Sequence, residues 1–251
     1  MDQHDQHTDE LLNQQLLANH LAFLSSHRGT LQPANETLLL KSDRPEFTYA
    51  LLGRGSNLAD LPAHFQTLQH FPWSTPQLPD LESAGFSPTM GITYMVFDSA
   101  PARQQERADL EITEVKTSEQ MDLFSQVQAR GFTDSESSFA DWHPWLKSAN
   151  DRNLHQQRQR FYVASLKGAP IATALVVLDG KTAGIYAVAT LAAYRKQGIS
   201  TTLMERVIAE LKAMGLKIIT LQCKQDSYVE EFYRRLGFKR VFTTGLYRRN
   251  T

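Results

Sequence analysis

Three strand-like runs in close succession constrain this chain more than any other feature: QRFYVASL, APIATALVVL and AGIYAVAT, at residues 159–166, 169–178 and 183–190. Each is rich in apolar and β-branched residues. The connections KGAP and LDGK are short enough for antiparallel hairpins. The pattern then changes. AYRKQGIS leads into an amphipathic run that predicts a long helix to Met214, KIITLQC predicts a further strand, SYVEEFYRRL a second helix closed by Gly237, and RVFTTGLYRR a last strand. Upstream, LEITEVK predicts an opening strand and Ser118 to about Arg130 a helix that Gly131 ends. The stretch FTDSESSFADWHPWLKSAN between that helix and the first hairpin reads as a polar segment with aromatic anchors around Pro144. An order of this kind gives an α/β or α+β fold, a mixed and mostly antiparallel sheet flanked by helices.

The first half is also mixed. LLNQQLLANHLAFLSS sets Leu12, Leu16, Asn19 and Phe23 at helical spacing, with Leu11 and Leu17 widening the apolar face. ETLLLKS and EFTYALLG read as strands, NLADLPAHFQTLQHF as a short helix interrupted or started by Pro62, PDLESAGF as a helix and GITYMVFD as a strand. SAPARQQERAD, residues 99–109, has no apolar periodicity and reads as a linker with its boundary near Gln105. The division expected is a flexible tail at 1–10, an N-terminal domain at 11–104 and a second domain at 105–251.

Composition excludes several function classes. With 251 residues, 41% hydrophobic and 21% charged, the chain is long enough for one large domain or two small ones. A formal net charge of −1 argues against a nucleic-acid partner. Cys223 is the single cysteine, so no intramolecular disulfide forms. The opening MDQHDQHTDE lacks the basic and apolar parts of a signal peptide, and no apolar run reaches the roughly 20 residues of a membrane span. A cytoplasmic location without a membrane partner is the expectation. His4 and His7 could share a metal, but no further ligand cluster follows and no metal site is expected.

The segment YRKQGIS stands where a strand ends and a helix begins. The first turn of a helix carries unpaired N–H groups and the positive end of the helix dipole, which suits a phosphate or pyrophosphate. Gly198 leaves room for backbone approach, Arg195 and Lys196 add positive charge, and Ser200 and Thr201 can cap or bind the anion. Taken alone, the same residues fit a plain helix entry with a solvated basic turn, because they match neither a Walker A sequence nor a dinucleotide glycine fingerprint.

Three features together resemble the GNAT superfamily of acyl-coenzyme-A-dependent N-acyltransferases over residues 110–249. The strand AGIYAVAT enters a loop similar to the family's Q/R-x-x-G-x-G/A pattern at Arg195, Gly198 and Ser200. The strand KIITLQC follows at about the family's spacing of 20 residues. EEFYRRLGFKRV looks like the family's Tyr-x-x-Leu-Gly-Phe segment at Tyr233, Leu236, Gly237 and Phe238. Ser200 stands where the family prefers Gly or Ala, and Ser227 where many members carry Asn.

The resemblance implies acetyl-CoA as cosubstrate. Its pantetheine arm would pair with the backbone of Ala187, Val188 and Ala189, and its pyrophosphate would be held by the loop from Arg195, Lys196, Gln197 and Gly198 to Ile199, Ser200 and Thr201, with Ser227 a further cofactor contact. The N–H near Val188 would polarise the thioester carbonyl. Tyr233 would protonate the leaving thiolate, although a core tyrosine on an amphipathic helix fits the same position. Asp134, Glu136, Trp142 and Tyr186 are the candidate acceptor-binding residues; Asp134, Glu136, Asp141 and Tyr186 are candidates for the base, none singled out by spacing. Cys223 reads as a buried thiol rather than a nucleophile, and His143 as a packing residue.

LESAGFSPTMGITYMVFD echoes YRRLGFKRVFTTGLYRRN, which makes the N-terminal half resemble a degenerate GNAT-like domain, so that two such domains stand in tandem. GRGSNLADL, with Arg54 and Gly55, is its nearest approach to a phosphate loop and fits a hairpin or helix-entry turn equally well. The function implied is N-acetylation of a small-molecule or amino-acid-like primary amine by direct attack, in a monomer or homodimer. The alternatives are a non-catalytic acyl-CoA-binding regulator and a protein or peptide N-acetyltransferase.

Overall fold

A computed structural model describes residues 3–99 and 107–250, with the side chains of 3–8 left aside. The proposed linker boundary near Gln105 and the His4/His7 pair therefore lie outside the described residues. In chain order the elements are α1 (Gln3–His27), β1 (Thr30–Ala34), β2 (Thr37–Lys41), β3 (Tyr49–Leu52), β4 (Thr67–His70), α2 (Leu78–Ser83), β5 (Phe86–Phe97), β6 (Leu110–Glu114), α3 (Ser118–Phe132), α4 (Glu136–Asn153), β7 (Gln159–Leu166), β8 (Ala169–Asp179), β9 (Thr182–Thr190), α5 (Ile199–Ala213), β10 (Ile218–Lys224), α6 (Tyr228–Arg235) and β11 (Phe238–Arg249). Mixed α+β architecture with largely antiparallel strands flanked by helices agrees with the sequence expectation. Two compact units form: residues 1–96 with 222–251, and residues 97–221. No helix among the described residues is long and apolar enough to cross a membrane.

In the unit of residues 97–221 the strands run β6-β7-β8-β9, all antiparallel, followed by the start of β10 parallel to β9. β8 is buried continuously from Ile171 to Val177, as a central strand covered on both faces must be. Adjacent residues of β7 show the two covers. The Phe161 ring meets Phe124 of α3 edge-on at 5.2 Å, and the neighbouring Tyr162 hydroxyl donates to Glu210 of α5 at 3.0 Å. Successive strand residues point to opposite faces, so α3 and α5 lie on opposite sides of the sheet. A capping box starts α3: the Thr117 hydroxyl accepts from the Gln120 amide, and the Gln120 side chain accepts from the Thr117 amide. α4 is held to α3 by buried Asn150, whose Nδ2 donates to Ser125 Oγ at 3.0 Å and Gln128 Oε1 at 2.8 Å.

In the other unit the order is β1-β2-β3-β4-β11-β5. Its core gathers Leu39, Ala50, Leu52, Phe65, Leu68, Leu81 and Phe86. Buried Gln69 of β4 donates to Thr244 of β11 at 2.8 Å, so a polar side chain inside the sheet is tied across strands.

Several expectations are corrected. NLADLPAHFQTLQHF forms no helix beyond a single 3-10 turn at Leu58–Asp60; its end is β4, paired with both β3 and β11, and those ladders outweigh local propensity. β1, for which the sequence offers no reading, carries Pro33, which an edge strand tolerates. The polar stretch after α3 is helix α4 despite Pro144. Gly131 does not end α3, which continues to Phe132. In addition α1 begins at Gln3, within the segment read as a tail.

Candidate functional site

β9 departs from regular pairing at the residues that the resemblance assigns to the pantetheine arm. Its ladder with β8 pairs Tyr186 with Leu175 and Ala189 with Thr173, so that Ala187 and Val188 together oppose Ala174. This is a β-bulge, which interrupts the ladder and re-aims the strand. Ala187 takes the left-handed region at φ 50°, and Thr173 Oγ1 donates to its carbonyl at 3.0 Å. On the other edge, the parallel ladder with β10 covers only Thr182, Ala183 and Gly184. From Ile185 onward that edge of β9 has no ladder partner among the described residues, which leaves backbone groups open to an extended ligand. Tyr186 and Ala189 are buried, and Ala187 and Val188 half-buried.

The loop after β9 is fixed by side chains that bind its carbonyls. Arg195 donates from Nε to Thr190 O at 3.1 Å and from Nη2 to Gly131 O at 2.9 Å, so this guanidinium joins the loop to the end of α3. Gln197 Nε2 donates to Ala193 O at 3.0 Å, and Arg107 Nη1 donates to Gln197 O at 2.8 Å. Ser200 Oγ lies 2.6 Å from Thr190 Oγ1. Lys196, exposed, has φ 61°, and Gly198, the N-cap of α5, has φ 75°.

The start of α5 carries no side-chain cap and no acidic residue, and buried Ile199 anchors it. None of the amides from Lys196 to Thr201 donates to an acceptor among the described residues. Together with the helix dipole, these amides can hold an anion. A Cβ built on Gly198 meets nothing within 4 Å, so the space beside this peptide is open.

The remaining cofactor and catalytic candidates lie on α6, in the other unit. Ser227 is the N-cap of α6: its Oγ accepts from the Glu230 amide at 3.2 Å and donates to Lys224 O at 2.6 Å. Its hydroxyl proton is thus committed to the protein. Tyr233 is 7% exposed, and no described group hydrogen-bonds its hydroxyl. Burial first, then nearby Cys223 and Tyr228, push its phenol above the ordinary range, so it stays protonated through neutral pH. Burial pushes the Cys223 thiol up to about 12, and its sulfur lies 3.8 Å from Met95 Sδ, the environment of an inert thiol.

Sequence reasoning missed Glu230. This carboxylate, 8% exposed, accepts from Thr93 Oγ1 at 3.1 Å and from the Asp226 amide at 2.7 Å, and pairs with Arg240 at 2.6 Å. A buried carboxylate needs such partners. They come from β5, the turn before α6 and β11, and no spacing within α6 announces them.

The acceptor candidates gather around the α3–α4 turn. Arg130, Thr133, Asp134, Ser135 and Glu136 line a shallow concavity there. Glu136 binds Arg130 at 2.7 Å, and that hydrogen bond and charge hold its carboxyl below the usual range. Asp134 is exposed and has no partner among the described residues. Arg130 lies 3.9 Å over the Phe139 ring, which stacks on His143 at 5.0 Å, consistent with a packing role for His143. Trp142 meets Trp145 edge-on at 6.1 Å. At the GRGS turn of the first half Arg54 binds Glu10 at 2.6 Å and a Cβ on Gly55 would lie 2.7 Å from Glu36 Cγ, while Arg54, Glu10 and Glu36 line a concavity of about 530 Å³ beside α1. Among the described residues no group of three His, Cys, Asp or Glu could hold a metal.

Residues 121–238 match the model of the acetyltransferase (GNAT) family. A GCN5-related N-acetyltransferase from Kribbella flavida superposes with a TM-score of 0.64 at 15% identity, covering 93% of this chain and 96% of that one. A functionally unknown conserved protein from Staphylococcus epidermidis reaches 0.63 at 14% identity, covering 90% and 96%. A GCN5-related N-acetyltransferase from Sphaerobacter thermophilus reaches 0.54 at 22% identity, covering 76% and 62%. At such identities the likeness is one of fold. No curated protein matches the chain.

Proposed function

We propose, from the match of residues 121–238 to the GNAT acetyltransferase family model, that the protein transfers the acetyl group of acetyl-CoA to the primary amine of a small or amino-acid-like acceptor. The observation that carries this reading is the open run of amides from Lys196 to Thr201 at the start of α5, next to a bulged strand whose outer edge is unpaired. A pyrophosphate satisfies the amides, and an extended amide-bearing arm completes the edge of β9. A diphosphate on its own would leave that edge unexplained.

The chemistry is direct acyl transfer. The acceptor nitrogen attacks the thioester carbonyl, the C–N bond forms, and collapse breaks the C–S bond. The thiolate takes its proton from Tyr233, and the ammonium proton leaves through water or a carboxylate. A phenol is protonated at neutral pH and so can serve as the acid. The Val188 amide, at the bulge, is the donor proposed for the oxyanion. Asp134 suits attraction of a cationic amine better than Glu136, whose charge is already met by Arg130.

Calorimetry with acetyl-CoA, together with thiol release in the presence of mixed amines, tests the proposal. Micromolar binding is expected in the wild type and lost in Gly198→Glu, whose carboxylate would enter the open space and repel the anion. Thiol release is expected to fall about 100-fold in Tyr233→Phe. Absence of binding would remove the cofactor assignment. Binding without turnover on any amine would replace the enzyme with an acyl-CoA-responsive module.

A further inference from the structure

We propose that Arg107, a residue outside the loop, is a positioning residue that sets the loop to receive the anion; the inference rests on the reading of that loop as the acetyl-CoA site. Each guanidinium nitrogen of Arg107 is committed. Nε and Nη2 donate to the two oxygens of Asp109 at 2.9 and 2.6 Å, and Nη1 donates to Gln197 O at 2.8 Å. The bidentate grip of Asp109 fixes the plane of the guanidinium, and the remaining nitrogen fixes one carbonyl. Arg107 and Asp109 stand about 90 residues before the loop, at the entry to β6.

The consequence follows from peptide geometry. The bond between Gln197 and Gly198 is trans, so the Gln197 carbonyl and the Gly198 amide point in opposite directions. Binding the carbonyl on the Arg107 side turns the Gly198 amide to the opposite side, where it is free to donate to an anion. The same contact keeps a carbonyl dipole from facing a phosphate. Gly198, at φ 75° and with open space beside it, offers little resistance to rotation of that peptide, so an external hold is needed. Arg107 therefore acts on affinity for the diphosphate without touching it. Its charge is balanced by Asp109, which keeps it on the carbonyl rather than on the phosphate of the ligand.

The test compares two donors on the full chain. Binding of coenzyme A is measured by calorimetry, and turnover is measured with acetyl-CoA and with S-acetyl-pantetheine, which lacks the diphosphate. Arg107→Ala is expected to weaken coenzyme A binding about tenfold and to raise KM for acetyl-CoA alike, the scale of one charge-assisted hydrogen bond. Its kinetics with S-acetyl-pantetheine and its melting temperature are expected to stay at the wild-type values. Asp109→Asn, which loosens the grip without removing the guanidinium, is expected to give a smaller loss in the same direction, and Arg107→Lys a partial rescue. Equal coenzyme A binding by wild type and Arg107→Ala overturns this inference alone. A matching loss with both donors, or a large fall in melting temperature, overturns it in favour of a structural role. Failure of the wild type to bind coenzyme A overturns the reading of the loop, and this inference with it.

Discussion

Gly198 separates what the protein needs from what the ligand needs. Its φ of 75° costs an L-residue about 1–2 kcal/mol, while a methyl group there meets no protein atom within 4 Å. Gly198→Ala is therefore expected to lower the unfolding free energy by about that amount and no more, as read from urea titration. A loss above about 4 kcal/mol would mean that the loop is packed rather than open. Gly198 and the basic residues around it are visible in the sequence because they fall between a strand and a helix, although by themselves they fit a plain helix entry as well. The work of Arg195 is not visible there. Its charge suggests the ligand, and two of its nitrogens also hold Thr190 O and Gly131 O, the latter 64 residues away. Arg107 escaped notice for the same reason: a guanidinium that binds a carbonyl leaves no trace in spacing.

At the scale of elements, α3 and β9 meet without slack. A Cβ on Gly131 would lie 2.6 Å from Ala189 Cβ, closer than two carbons can approach, and Ala189 belongs to the strand edge proposed for the pantetheine arm. Gly131→Ala is expected to cost about 1–3 kcal/mol in urea unfolding, and Ala189→Gly in the same chain to recover part of it. Additive losses in that double-mutant cycle would show that the two carbons do not collide. Sequence reading took Gly131 for a helix terminator, a role glycine often has, when its use is to let a helix approach a strand. The long β7, β8 and β9 were legible because apolar runs punctuated by KG and DG turns have few other interpretations. β4 and α4 were not. β4 has only four residues and gains its identity from ladders on both sides, and α4 carries a proline in its interior and buries Asn150 and Asn153, a polar face that periodicity cannot recognise.

Across the whole molecule, buried titratable groups set how stability responds to pH. Burial, followed by the charge of Arg28, pushes His20 down to about 4 against an opposing hydrogen bond to Gln222. The unfolded chain takes up the imidazole proton near pH 6.5, before the native one does, so this stability is present above about 6.5 and is lost as pH falls toward 4. The loss amounts to about 3 kcal/mol by pH 4, and the slope between these values is expected to flatten in His20→Gln. An unchanged slope would exclude His20 as its source. The organisation into units was only partly legible. Residues 222–251 belong with 1–96, and a strand does not announce its neighbours, so consecutive domains were the natural expectation. That interleaving has a consequence for synthesis. β11 occupies the slot between β4 and β5, and Gln69 finds Thr244 across 175 residues of chain. A ribosome that has delivered residue 221 has released everything the second unit contains, while the first still lacks an inner strand. The unit that starts later is thus the one able to finish first, and the nascent N-terminal portion must wait, with an open cleft in its sheet, for its missing strand to arrive.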